Sequence, residues 1–354
     1  MSIKLGLEAL HISSQYITGI ERYLQLILQA LSSLPNDDIS EIVVFGKQDH
    51  FFTQFPNIKV SSIVVNEDNL RDCVTQSKID ILHCSFVPPK ERLDCKVIYT
   101  LHDAGRYIYP ELMSPLVSEI HNPRIKRMIE DRECIFTTVS NAARDEIVKT
   151  LGINQDIIQV VPLYVSDHLS RWNDFTNDQN IIRELGVEGE YLLSVGCFAP
   201  TKNAITIVRA FDKWKKIYGY DSSKLVLVGR VGWDIELEEY IPNVRDVVRL
   251  TSITDRQMVA LYRNSKATIS ASLIEGFGLP MLEAASFGSP LLCSDIPVYR
   301  EILGDYPYYF SPTDTNSLIK LFSTNMPRSL NPTFTTSYTV KQTAEKLKNL
   351  YTLP

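Results

Sequence analysis

The stretch "ATISASLIEGFGLPMLEAASFGSPLLCSD", residues 267–295, decides the fold. It reads as a strand over 267–272, a glycine turn, a helix opening at Pro280 and a second strand over 290–295. Proline suits the first helical position, where its missing N–H would have no partner anyway. The turn Gly276-Phe277-Gly278-Leu279 then exposes backbone N–H groups at a helix N-terminus, a natural site for an anion or a hydroxyl. Glu275 and Glu283 flank that turn. This reading puts Glu283 in the helix's first turn, where the dipole favours a carboxylate. An ionised carboxylate only accepts hydrogen bonds, and its two oxygens match two neighbouring hydroxyls such as a ribose diol.

The same strand–helix alternation extends in both directions. Before the stretch come apolar runs at 191–196, 224–229 and 246–251, with helical patterns at 203–218 and 255–264 between them. Further back lie runs at 3–10, 41–46, 61–65, 80–85, 96–103, 135–140 and 157–162. Runs that are apolar throughout suit parallel strands covered on both faces. Ile20, Tyr23, Leu24, Ile27, Leu28 and Leu31 make the stripe of a first helix, and Thr18 with Glu21 fits a capping box at its start. Gly19 lies between them, where backbone could approach a ligand closely. Another helix is expected from Asn141 to Leu151, stopped by Gly152.

Two successive series of this kind predict an α/β chain of two doubly wound domains. The expected division is 1–166, a polar linker 167–180, a second domain 181–338, and a terminal helix 339–354 that either stays on its domain or returns to the first. Ligands of such sheets sit at the carboxyl ends of the strands, so a cleft between domains is the expected site.

Composition narrows the function. A net charge of -6 over 354 residues argues against nucleic acid as partner. Six cysteines without a CxxC pair read as reduced, buried thiols, which points to the cytosol. No signal peptide opens the chain, and no run is long and apolar enough to span a membrane. No GxGxxG follows a strand, since Gly276-Phe277-Gly278 lacks the third glycine, which disfavours a Rossmann oxidoreductase.

"EGFGLPMLE" resembles the E-x7-E signature of retaining GT-B glycosyltransferases of family 4, the glycosyl transferases group 1. The resemblance continues in "YLLSVGCFAPTKNAITIVRAF", "KLVLVGRVGW" and "YYFSPTD", and in the first half in "TGIERYL", "IDILHCSFVPP", "VIYTLHDAGRYIYPELM" and "FTTVSNAARDEI". The "PTKN" variant is similar to mannosyltransferase-like members that build bacterial surface polysaccharides. The resemblance implies residue roles. Glu283 would hold the nucleotide ribose; Glu275 and the amides of Gly276, Phe277, Gly278 and Leu279 would hold the donor sugar and part of the diphosphate. Lys202 would neutralise the diphosphate, Gly19 would meet the donor phosphates or the acceptor, and His102 would lie near the reacting sugar. The chain departs from the pattern at Cys197, where family members often carry arginine. Arg230, at the end of the next strand, is the candidate substitute.

These roles imply retaining transfer of a hexose from a nucleoside diphosphate sugar, with GDP-mannose favoured as donor, to a saccharide acceptor in O-antigen or capsule synthesis. The catalytic candidates are His102, Glu275 and Lys202. No DxD motif occurs, so the expectation is metal-independent chemistry with no cofactor. "HNPRIKRMIEDRE" (121–133) sets Arg124, Lys126, Arg127 and Arg132 beside Ile125, Met128 and Ile129, which extends the expectation to a membrane surface carrying a lipid-linked acceptor. Two other functions suit the architecture. They are a GT-B nucleotide-sugar epimerase and a non-catalytic sugar-nucleotide-binding partner of another transferase.

Overall fold

A computed structural model describes the chain except residues 1, 13–18, 36–37, 48–57, 133, 173, 220–221, 325–333 and 354. It divides into two compact units, one of residues 1–164 with 338–354 and the other of residues 165–337.

The first unit holds a seven-stranded sheet in the order β3-β2-β1-β4-β5-β6-β7. Its strands are β1 (Ile3–Ala9), β2 (Ile39–Gly46), β3 (Val60–Val64), β4 (Ile81–Cys84), β5 (Lys96–Thr100), β6 (Cys134–Thr138) and β7 (Ile158–Val160). All its pairings are parallel. The second unit holds six strands in the order β10-β9-β8-β11-β12-β13, also parallel. These are β8 (Tyr191–Val195), β9 (Lys224–Val228), β10 (Val247–Leu250), β11 (Ala267–Ser270), β12 (Leu291–Ser294) and β13 (Tyr308–Phe310). The strand order reverses between β1 and β4 in one sheet and between β8 and β11 in the other. Those are the switch points at which doubly wound sheets take their ligands.

The sequence periodicity accounts for most elements. In the helix Gly19–Ser32 the stripe residues Tyr23, Leu24, Ile27, Leu28 and Leu31 are buried. The expected Thr18 cap lies outside the described residues. The helix Asn141–Leu151 starts on Ser140, whose side chain accepts from the Ala143 N–H, and stops at Gly152 in the left-handed region. The helix Asp255–Asn264 starts on a full capping box of Thr254 and Gln257.

Two features depart from the sequence reading, and one decides between alternatives it left open. First, residues 167–180 are no free linker. Ser166 caps a short helix Asp167–Ser170, and a second helix, Asp178–Glu184, begins inside the stretch. Arg256 Nη1 holds Asp178 at 2.5 Å and its Nη2 donates to the Asp174 carbonyl at 3.0 Å, which ties the stretch into the second unit. Second, the terminal helix Val340–Thr352 packs on Gly19–Ser32, and Thr343 Oγ1 donates to the Pro162 carbonyl at 2.7 Å. It is therefore part of the first unit. Third, none of the six cysteines is in a disulfide, but only Cys84 and Cys293 are buried; Cys73, Cys95, Cys134 and Cys197 are half-exposed.

Candidate functional site

In the second unit, two loops meet backbone to backbone after β8 and β9. Gly229 has φ +136°, and a Cβ there would lie 2.0 Å from the Gly196 carbonyl oxygen. The Phe198 N–H donates to the Arg230 carbonyl at 3.1 Å. This contact brings the Arg230 guanidinium to 3.7 Å from Cys197 Sγ. The positive charge that the chain lacks at position 197 thus stands directly beside it, on the neighbouring loop.

Lys202 ends a short turn, Pro200–Lys202, that continues into Asn203 in the left-handed region. Asn203 accepts from Thr206 Oγ1, and its amide donates to the carbonyls of Ala271 and Pro312 at 3.1 and 3.0 Å. The Leu273 N–H also donates to the Thr201 carbonyl at 2.9 Å. The turn is therefore pinned to the loop after β11, the one that carries Glu275. Lys202 Nζ lies 2.8 Å from Glu275 Oε1, and Ser272 Oγ donates to the same oxygen at 2.8 Å. Residues 73 positions apart in sequence form one ion pair at the β8/β11 switch point. Asn203 was not singled out in the sequence; its only signal is its place directly after Lys202.

Gly278 caps the helix Leu279–Ser286 with φ +83°. A Cβ there would meet the Tyr299 ring at 2.5 Å. Tyr299 in turn hydrogen-bonds Ser270 Oγ at 2.6 Å, so ring, strand end and turn hold one another. Phe277 is buried. Glu283 is the fifth residue of this helix, not a first-turn residue, because the helix opens at Leu279 with Pro280 second. The dipole of the first turn therefore does less for it than expected. Tyr262 takes that place, donating to Glu283 Oε2 at 3.1 Å. Glu283 is 8% exposed. Each glutamate has its own partner, Lys202 for Glu275 and Tyr262 for Glu283.

In the first unit, His102 follows β5. Its Nε2 lies 2.9 Å from the Ser85 carbonyl, which can only accept, so Nε2 carries the proton and Nδ1 is left as the acceptor. Burial depresses its pKa to about 4, so the ring is neutral at neutral pH. Tyr23 packs edge-on against it at 4.8 Å between centroids. Behind Tyr23 lies a buried network. His83 Nε2 meets Thr100 Oγ1 at 2.7 Å and Tyr23 Oη at 3.2 Å, and its Nδ1 meets Tyr351 Oη at 2.8 Å. Gly19 begins its helix in open space, and a Cβ there would meet nothing within 4 Å.

Glu8, at the end of β1, is fully buried and was not marked as a site residue in the sequence. It accepts from the amides of Leu10 at 2.6 Å and of Phe86 and Val87 at 3.1 Å each. Burial opposes its ionisation, but His11 and those amides outweigh it and hold its pKa below the usual carboxylate value.

The basic helix Asn122–Glu130 does not form the expected membrane face. Ile125 and Met128 are buried within the unit. Arg124 pairs with Glu67 at 2.6 Å, and Arg127 donates to the Lys90 and Pro89 carbonyls at 2.8 and 3.2 Å. Among the described residues, no helix is long and apolar enough to cross a membrane.

Residues 177–324 match the family described as Glycosyl transferases group 1, and this segment is a domain of that family. The chain is similar to the O-antigen chain mannosyltransferase RfbU of Salmonella typhimurium, at 27% identity over 62% of this chain and 57% of that protein. It is also similar to the serotype-specific mannosyltransferase WbdA of Escherichia coli, at 26% identity over 94% of this chain and 44% of that protein. The chain thus spans about half the length of the curated relatives it matches. Among solved structures it resembles Anabaena HepE in complex with UDP-glucose, with TM-score 0.70 and 15% identity over 98% of this chain and 95% of that one. It likewise resembles WaaG, a glycosyltransferase involved in lipopolysaccharide biosynthesis, with TM-score 0.67 and 14% identity over 98% and 94% of the two chains. The two units have the GT-B fold.

Proposed function

We propose that this chain is a retaining, metal-independent glycosyltransferase. It moves mannose from GDP-mannose to a saccharide acceptor, lipid-linked, in surface-polysaccharide synthesis. The observation that carries the reading is the Lys202–Glu275 pair at the β8/β11 switch point, beside the amides of Gly276 to Leu279 and within a glycosyl transferases group 1 domain. The names of the mannosyltransferase relatives support the choice of sugar.

When the bond between the anomeric carbon and the diphosphate breaks, negative charge grows on the leaving phosphate. Lys202, Arg230 and the helix N-terminus supply the compensating positive field. The acceptor oxygen bonds to the anomeric carbon on the face the diphosphate leaves, and its proton passes to a phosphate oxygen. Glu283 accepts from the ribose hydroxyls. His102, neutral and with Nδ1 bare, accepts from a sugar hydroxyl rather than donating charge.

Calorimetry with GDP, UDP, ADP and dTDP tests the donor. GDP is expected to bind tightest, and Glu283→Ala should weaken it by about 10- to 100-fold, the loss of hydrogen bonds to a charged group. Unchanged affinity in that variant would sink the ribose assignment. Turnover is expected to persist in excess EDTA; its loss there, restored by Mg²⁺, would overturn the metal-independent reading.

A further inference from the structure

His83, on β4, is a buried histidine that the proposed transfer does not use. It is 1% exposed, and Tyr23, Thr100 and Tyr351 around it are each 2% exposed or less. His83 Nδ1 meets Tyr351 Oη at 2.8 Å, and its Nε2 meets Thr100 Oγ1 at 2.7 Å and Tyr23 Oη at 3.2 Å. Tyr23 Oη closes the set on Thr100 Oγ1 at 2.9 Å. Among the described residues these polar atoms bond one another and nothing else. The rings stand edge to face in succession: Tyr351 on His83 at 5.8 Å and 71°, His83 on Tyr23 at 6.2 Å and 79°, and Tyr23 on His102 at 4.8 Å and 89°. The succession starts on the terminal helix Val340–Thr352 and ends on His102, the one ring of the four that is half-buried rather than buried.

Four polar groups in an apolar core destabilise it unless they satisfy one another; satisfied, they specify one packing more strictly than apolar residues would. Burial, with His102 nearby, holds the pKa of His83 at about 3, so its ring is neutral, one nitrogen donating and the other accepting. The three hydroxyls can do either, so both nitrogens are satisfied in either tautomer. His102 is held differently, by one hydrogen bond from Nε2 to the Ser85 carbonyl. A single bond of that kind leaves the imidazole free to tilt about it. The edge of the Tyr23 ring limits the tilt, and Tyr23 is itself held at its hydroxyl by the network.

We propose that Tyr351, on the terminal helix, is a positioning residue for His102. Its hydroxyl fixes His83, His83 with Thr100 fixes the Tyr23 hydroxyl, and the Tyr23 ring fixes the plane of the His102 imidazole and so the direction of Nδ1. What His102 does to the sugar rests on the transferase reading; that Tyr351 sets its ring does not. The terminal helix thereby does more than cover the helix Gly19–Ser32, because it completes the support of His102 from behind.

The test reads His102 directly, by NMR of its imidazole carbon and nitrogen resonances in the whole chain, beside turnover and GDP affinity. Tyr351→Phe and Thr100→Val each remove one hydroxyl and keep the shape of the side chain. Each is expected to shift the His102 resonances and to lower turnover at saturating donor about three- to tenfold, the worth of one hydrogen bond, with GDP affinity unchanged. The double variant should do little more than either alone, because both break one network. Thr343→Val is the control, since Thr343 holds the same helix through the Pro162 carbonyl and lies outside the network. It should lower Tm without moving the His102 resonances or turnover. If Tyr351→Phe and Thr100→Val behave like Thr343→Val, the network is structural only and the proposal is overturned. Lost turnover with the His102 resonances in place would overturn it as well, because the effect would bypass that ring. Shifted resonances with full turnover would uphold the positioning and remove His102 from the reaction, which breaks that part of the transferase reading alone.

Discussion

In the second unit the charged side chains at the switch point already have partners. Lys202 and Ser272 converge on Glu275, Tyr262 serves Glu283, and Arg230 lies against Cys197. In the first unit the equivalent position carries one saturated carboxylate, Glu8, and around it histidine, arginine and tyrosine atoms with no partner. The same doubly wound plan has been used in two ways. One sheet presents a charged set held ready by ion pairs, which suits a fixed diphosphate. The other presents buried donors and acceptors without partners, the Arg106 guanidinium among them.

The difference should be largest in acid. Burial holds His83, His102 and His121, all in the first unit, at pKa values of about 3, 4 and 4. The second unit has His168 among its described residues, and it is exposed. A histidine whose folded pKa lies below its unfolded value of about 6.5 contributes full stability above that value and loses it as pH falls toward the folded one. Each of the three should cost the first unit about 1.4 kcal/mol per pH unit between pH 6.5 and roughly 4. Glu8 adds a further loss in the same direction as pH falls through its own lowered value. Hydrogen exchange followed from pH 7 to 4 should therefore show the strands β1, β4 and β5 losing protection before β8, β11 and β12. Simultaneous loss in both units would break the comparison.

The two halves were also unequally legible in the sequence. The strand positions and the glycine turn at 276–278 follow from local signals, because apolar runs and turn residues act on their neighbours. That Lys202 meets Glu275 could not be read, since it depends on Asn203 and Leu273 tying two loops together across the sheet. The sequence reading puts Glu283 one position too early in the helix, because proline is tolerated at either of the first two helical positions and the boundary shifts with it. In the first half, Glu8 looked like one glutamate in an apolar run. Its role depends on amides 78 and 79 positions away. His121 lies within a basic pattern that suggests a membrane surface, and the fold turns His121, Ile125 and Met128 of that pattern inward.

A second, smaller effect should come from breaking the pair in the second unit. Lys202→Ala removes the cation nearest the proposed diphosphate and is expected to lower turnover by about 100-fold, the cost of losing one preorganised electrostatic group. It also leaves Glu275, 13% exposed, without its counter-charge, so Tm should fall. Adding Glu275→Ala should restore Tm and leave turnover low. If the double variant recovers turnover as well, the lysine's work is only to neutralise the glutamate, and the second unit's charges are structural.

The smallest expected effect sharpens what Tyr262 does. Its hydroxyl is buried and donates to Glu283 Oε2 at 3.1 Å, while its ring stacks on Phe287 at 6.3 Å and 9°. Tyr262→Phe keeps the stack and removes one donor to the carboxylate. If Tyr262 aims Glu283 at a ribose, GDP affinity should fall by about three- to tenfold, the worth of one hydrogen bond, with turnover at saturating donor unchanged. That is less than the loss expected for Glu283→Ala, because the carboxylate remains but is held less firmly. An equal loss in both variants would mean that Glu283 works only when Tyr262 aims it. No loss at all would mean that the helix Leu279–Ser286 holds the carboxylate unaided and that its dipole, even at the fifth residue, suffices.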